Sequence, residues 1–448
     1  MQQIWGRKGP KGAGLTSEAH SDPPAVPDLR VSLEGDLTGG TLALEAFWHG
    51  LRDDWRMIAL APAALAGTPG TAARILARAR PPAAEALPLA SHVIARMQAA
   101  RAEGRRVVLT ATGPREFAEA VAARLDCVDA VEIVGTAQPA MPPTSPPPAG
   151  PGAGAARLAT VLRAMRPHQW VKNLLVFLPM IASHGIGPAN AGRTLLAFVS
   201  FCLVASAVYV LNDLLDLRAD RRHPTKRHRP FASGALPLSA ARWLLPGLLG
   251  AGLALAALGG PALLGVMLVY AAATSAYSLK IKGTLGADVI FLALLYTLRI
   301  VAGAAVTGIP LSMWLLSFSV FLFLSLAAVK RLSELVCLEN DGGNGRASGR
   351  AYRVEDRPVM AMIATSAGFL SVLVLALYID SPEVTALYAN PQILWGLGIG
   401  LLYWISRTVL FAHRGAMDQD PVVFALTDRI SRYTALAFGL IFIAAILG

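Results

Sequence analysis

From about residue 172 to its end the chain is built from apolar stretches separated by short polar ones. Nine stretches, approximately 172–188, 194–212, 241–259, 262–279, 286–307, 311–330, 358–379, 391–411 and 431–447, are candidate bilayer crossings by length and apolarity. Cations are shared unevenly among the segments between them. Arg163, Arg166 and Lys172 precede the first stretch, and Arg218 to Arg229 follow the second. Lys280 and Lys282 follow the fourth. Lys330, Arg331, Arg346, Arg350, Arg353 and Arg357 follow the sixth, and His413, Arg414 and Arg429 the eighth. The alternate loops are nearly devoid of Lys and Arg, Arg193 being the exception. Loops rich in Lys and Arg stay in the cytoplasm. The pattern therefore predicts an odd number of crossings in an inner (plasma) membrane, with the N-terminus inside and the C-terminus outside.

Before residue 157 the pattern changes. Residues 29–33, 106–110 and 129–134 read as strands, and 90–102 and 116–125 as helices. Strand–helix–strand alternation predicts a parallel α/β arrangement. The expected organisation is a flexible tail (1–27), a small soluble α/β domain (28–137), a Pro/Gly/Ala linker (138–156) and an all-α multi-pass membrane bundle (157–448). The tail contains no apolar core segment and does not read as a cleaved signal peptide. Composition agrees: 54% of the 448 residues are hydrophobic and 15% charged, too apolar for an ordinary soluble protein. A net charge of +11 could suggest nucleic acid, but the cations gather at the ends of apolar stretches, which excludes that reading. Cys127, Cys202 and Cys337 are scattered and form no disulfide framework or zinc spacing.

The candidate chemistry follows the second stretch. Asn212, Asp213, Asp216 and Asp220 come where an apolar helix meets water, and the three aspartates fall at i, i+3 and i+7, one face of a helix that continues. Clustered oxygen ligands suit Mg²⁺, which keeps several waters and bridges to phosphates. Asp213, Asp216 and Asp220 are the candidate metal ligands, at least one of them open to a purely structural role. Asn212 would orient them or ligate through its amide. Lys226 and Arg229 are candidate phosphate ligands, with a positive-inside anchor as the plainer reading. Lys172 and Asn173 at the first stretch, and Tyr277, Lys280 and Lys282 after the fourth, share that cytoplasmic level. Arg299 lies inside an apolar stretch, where a cation is expensive. It binds phosphate or pairs with Asp288 or another acid. Lys330 and Arg331 read as the end of the sixth stretch, and Trp170 and Trp314 as interfacial anchors.

The run Asn212-Asp213-x-x-Asp216-x-x-x-Asp220 resembles the first aspartate-rich motif of the UbiA superfamily of intramembrane prenyltransferases. Arg166-Pro167-His168-Gln169-Trp170-Val171-Lys172-Asn173, His223-Pro224-Thr225-Lys226-Arg227-x-Arg229-Pro230, Leu298-Arg299-Ile300-Val301-Ala302-Gly303 and Lys330-Arg331-x-x-Glu334-Leu335 are similar to its decaprenyl-phosphate phosphoribosyltransferase branch. The resemblance covers about 160–448. It implies a Mg²⁺-dependent transfer of 5-phosphoribose from phosphoribosyl diphosphate to a polyprenyl phosphate, within membrane lipid, by a homo-oligomer such as a trimer serving cell-envelope biosynthesis. A second acidic motif, expected in members that use prenyl diphosphates, is missing; Tyr277 to Lys282 stand in its place, with Asp288 the only nearby acid. Two alternatives remain: prenylation of an aromatic or other acceptor, and a non-catalytic binder or transporter of polyprenyl phosphate. Ser32-Leu33-Glu34-Gly35-Asp36 resembles, in degenerate form, the D-x-D-G-T signature of haloacid-dehalogenase-type phosphatases, with residues 107–112 as a second motif. Ser32 replaces the nucleophilic aspartate, which implies no aspartyl-phosphate chemistry.

Overall fold

A computed structural model describes residues 27–38, 40–66, 71–79, 84–134, 153–340, 351–417 and 420–447. The expected tail up to residue 26, the linker over 138–152, and Arg346 and Arg350 lie outside the described residues.

The N-terminal part forms a three-stranded parallel sheet in the order β1 (Leu29–Ser32), β2 (Val107–Ala111), β3 (Ala130–Ile133), in register at Val31, Leu109 and Val131. The expected strands stand at these places. β1 runs directly into a π turn, Leu33–Leu37. Helices α1 (Leu42–Asp53), α2 (Ala61–Ala66), α3 (Thr71–Arg78) and α4 (Ser91–Ala102) lie between β1 and β2, and α5 (Arg115–Ala122) follows β2. Val31, Met97, Val107, Leu109 and Val121 build its core. The stretch α1 to α3 was not expected. Leu44, Phe47, Trp48 and Leu51 repeat at i, i+3, i+4 and i+7, an apolar stripe. That stripe joins a core with Leu214, Leu217, Phe231 and Leu236, so it faces the membrane part.

The membrane part begins with α6 (Ala153–Met165), which takes in the last residues of the expected linker. A 3₁₀ stretch, Pro167–Phe177, and α7 (Leu178–Ala182) follow. Next come α8 (Pro188–Leu215), α9 (Leu217–Arg222), α10 (Ala241–Leu258), α11 (Pro261–Leu279) and α12 (Ala287–Thr307). The bundle ends with α13 (Met313–Asn340), α14 (Arg357–Ile379), α15 (Pro382–Leu387), α16 (Trp395–His413), α17 (Pro421–Thr427) and α18 (Arg429–Leu447). Among the described residues eight helices are long and apolar enough to cross a membrane, matching eight of the nine apolar stretches.

The first stretch, 172–188, is the exception in form. Pro179 has no N–H for the carbonyl of Leu175, so a regular helix cannot run through it. Within the stretch, 3₁₀ helix over 172–177 and α7 rise about 20 Å together, short of the roughly 30 Å of a hydrocarbon core. The segment runs antiparallel to α8. Trp170 Nε1 donates to Ser206 Oγ at 3.0 Å near one end, and Met180 Sδ accepts from Thr194 Oγ1 at 3.8 Å towards the other. It also presses on α12, where a Cβ at Gly303 would stand 2.0 Å from the carbonyl oxygen of Val176.

Candidate active site

The aspartate-rich motif sits at the break between α8 and α9. The helix does not continue through it: Asp216 adopts φ −93° and ψ 8°, and α9 restarts at Leu217. The expectation of one unbroken face is therefore corrected: Asp213 and Asp220 share Arg229, whereas Asp216, at the kink, turns to Lys282 and Arg52. Buried Asp213 accepts from Arg229 Nη1 at 3.2 Å and from Arg166 Nη2. The same Arg229 nitrogen donates to Asp220 Oδ2 at 2.6 Å. Asp216 accepts from Lys282 Nζ at 2.8 and 3.0 Å and from Arg52 Nη1 at 3.1 Å. Burial lifts the Asp220 carboxyl above its usual range, and Arg229 pulls against that shift.

Among the described residues no three His, Cys, Asp or Glu side chains stand close enough to hold a metal ion. Two oxygen atoms nevertheless fit a hard cation. Asn212 Oδ1 and Asp213 Oδ2 are buried without a hydrogen-bond partner among the described residues, and such groups call for an explanation such as an ion.

The remaining expected residues divide into two groups. Lys226, on the turn Lys226–His228, and Lys280, just past α11, are exposed at the rim of the motif. Tyr277 stacks on Phe291 with ring centroids 6.4 Å apart. Lys172, Asn173 and Arg299 stand apart from the aspartates. Lys172 Nζ and Lys330 Nζ donate to one carboxylate oxygen of Asp420 at 2.7 and 2.9 Å. Burial opposes the Asp420 charge, but Lys330 and Lys172 together hold its carboxyl well below the usual carboxylate range. Asn173 Oδ1 accepts from Arg299 Nε at 2.9 Å, and Arg299 also donates to Leu295 O and Tyr270 Oη. Its guanidinium lies 5.1 to 5.5 Å from the rings of Tyr270, Tyr296 and Phe201. The expected pair between Arg299 and Asp288 does not form. Eleven residues of α-helix place them about 16 Å apart along the axis. Asp288 instead pairs with fully buried Arg331 at 2.9 Å, so Arg331 is more than the end of a span.

Arg52 and Asp420 escaped the sequence reading, and Arg166 and Arg331 entered it only as basic residues at the ends of apolar stretches and in the motifs of the resemblance. Arg166 directly precedes Pro167, where the membrane part begins. It adopts φ 54°, the left-handed region that non-glycine residues enter only under constraint. An apolar cavity of about 320 Å³ is lined by Lys172, Leu175, Tyr296, Phe323, Leu326 and Trp404.

The family model described as UbiA prenyltransferase family matches residues 173–427, more than half of the chain. Nodulation protein NoeC of Azorhizobium caulinodans is 40% identical over 286 residues, 63% of this chain and 93% of that protein. Decaprenyl-phosphate phosphoribosyltransferase of Mycolicibacterium smegmatis is 38% identical over 207 residues, 43% of this chain and 62% of that enzyme. A UbiA homolog from Archaeoglobus fulgidus, solved bound to GPP and Mg²⁺, aligns with a TM-score of 0.49 and 18% identity, over 64% of this chain and 99% of its own. With its acidic motif at the end of a membrane-spanning helical bundle, the chain is a transferase belonging to the UbiA prenyltransferase family.

Proposed function

We propose that the protein transfers 5-phosphoribose from phosphoribosyl diphosphate to a polyprenyl phosphate, at the cytoplasmic face of an inner membrane, with release of diphosphate. The observation that carries this reading is the charge inventory of the site. Three aspartates are met by Arg52, Arg166, Arg229 and Lys282, with Lys226 and Lys280 at the rim. So many cations around one acidic motif suit substrates that carry several phosphates. The name of the mycobacterial relative supports the same reading.

Asn212 and Asp213 would hold the metal through their partnerless oxygens, with Asp216 and Asp220 beside them. Bound there, Mg²⁺ would neutralise the diphosphate leaving group. Arg229, released from the carboxylates, would bind phosphate oxygens of the donor's diphosphate, while Lys282 keeps its contacts with Asp216 and has a third N–H to offer. Part of the acceptor tail would lie in the apolar cavity, with Lys172 of its lining available to the phosphate. A phosphate oxygen of the acceptor attacks the anomeric carbon as the bond from that carbon to the diphosphate oxygen breaks. A phosphate dianion needs no general base and no protein nucleophile.

The test is product formation in membranes from labelled phosphoribosyl diphosphate and polyprenyl phosphate, with and without Mg²⁺. Turnover should require both substrates and the metal, and Asp213→Asn and Asp216→Asn should each abolish it while the protein still inserts. Efficient use of geranyl or farnesyl diphosphate with an aromatic acceptor, and none of phosphoribosyl diphosphate, would move the protein to prenyl transfer.

A further inference from the structure

The N-terminal α/β part reaches the acidic motif. Arg52, in the last turn of α1, meets Asp216 at 3.1 Å across 164 residues of sequence. Its position is not left to a flexible tether. Arg221 on α9 donates to both carboxylate oxygens of Glu45 on α1 at 2.7 and 2.9 Å, and both side chains are buried. The apolar stripe of α1 packs beside that pair on Leu214, Leu217 and Phe231. Packing and a bidentate pair fix the helix, and with it the place of Arg52.

Arg52, Lys280 and Lys282 surround a cavity of about 140 Å³ next to Asp216 and Ser278. Three cations face one carboxylate there. Lys282 already covers Asp216 with two contacts, so Arg52 can turn to an incoming anion without leaving that carboxylate bare. A planar guanidinium beside two ammonium groups suits the oxygens of a phosphate monoester.

We propose that the N-terminal part completes the active site, and that Arg52 binds the phosphate monoester of the donor in this cavity together with Lys280 and Lys282. This rests on the phosphoribosyl reading above: the donor's diphosphate belongs with Asn212 and Asp213, and its 5-phosphate then lies on the other side of Asp216.

The test uses the full-length protein in lipid nanodiscs with Arg52→Ala, Arg52→Glu and Arg52→Lys. Loss of one charge-assisted contact should raise the KM for phosphoribosyl diphosphate about tenfold or more in Arg52→Ala. Charge reversal should raise it further, and Arg52→Lys should restore most of the loss. The KM for polyprenyl phosphate should not move, and melting temperatures should match wild type because Arg52 is partly exposed. An unchanged donor KM, a shift confined to the acceptor KM, or a variant faster than wild type would overturn the assignment; the last would make the contact with Asp216 inhibitory. A wild type inert towards phosphoribosyl diphosphate would instead defeat the donor reading. Ribose 5-phosphate binding by calorimetry tests the cavity independently: equal affinity in wild type and Arg52→Ala would rule Arg52 out.

Discussion

Arg299 carries its charge among three aromatic rings and neutral oxygens rather than beside a carboxylate. Arg299→Met keeps an unbranched apolar stem but shortens the side chain and removes the charge, so the lost cation–π and hydrogen-bond contacts are offset in part by relief of a buried cation. Stability should change by no more than about 2 kcal/mol. Turnover should fall, because Asn173 and the first apolar stretch lose their anchor. Measuring protein in the membrane fraction beside turnover separates the two effects, and loss of the protein itself would make the residue purely structural. Asp420 behaves differently. Asp420→Asn leaves Lys172 and Lys330 as unshielded neighbours, at a cost of about 2 kcal/mol or more; Lys330 is 35% exposed, which keeps the loss below that of a fully buried pair. Its folded-state carboxyl titrates below the unfolded value. The stabilisation is therefore present above about pH 4 and lost as the pH falls through the still lower folded value. Melting curves of wild type and Asp420→Asn should stay apart from pH 8 to about pH 5 and converge only below; convergence near pH 6 would contradict the assignment.

At the scale of elements, the broken first stretch makes a definite demand on α12. Gly303→Ala would set a methyl group 2.0 Å from a backbone carbonyl and 3.2 Å from Pro179 Cδ. Backbone cannot yield as a side chain does, and the expected loss is about 1–3 kcal/mol. Gly247→Ala, which meets nothing within 4 Å, serves as the control. Equal melting temperatures for the two variants would mean that the stretch relaxes freely. Eight crossings were legible because hydropathy and basic loops mark where a helix of sufficient length lies. The form of the first apolar stretch was not, since hydropathy counts apolar residues and is blind to the missing N–H of Pro179. The kink at Asp216 had no Gly or Pro to announce it. α1 was invisible for another reason: its apolar stripe is an ordinary amphipathic one, and its partners lie more than 160 residues further on.

At the scale of the molecule, the α/β part has a three-stranded parallel sheet and, at the end of its first strand, Ser32 in place of the nucleophile that the degenerate signature would need. Ser32 Oγ donates to the carbonyl of Glu34 at 2.6 Å, and Glu34 Oε2 accepts from the Thr112 N–H at 2.9 Å, so both side chains brace loops. The full-length protein with Mg²⁺ should show no hydrolysis of sugar phosphates. Turnover removed by mutating an aspartate of this part would show a misaligned motif. The acidic motif and Arg229 and Lys282 were legible as charged residues at a membrane edge, whereas Arg52 and Asp420 had no local signal because their roles arise from contacts distant in sequence. The pair between Asp288 and Arg331 bears on how the chain is made. Each is a buried charge near the edge of a membrane helix, where standing alone costs less than the about 3 kcal/mol of a charge at the helix centre. They lie near the start of α12 and towards the end of α13 and meet only when the two helices fold back on each other. The two helices are then best inserted as one hairpin, and a nascent chain stalled between them would leave Asp288 without its counter-charge, exposed to quality control.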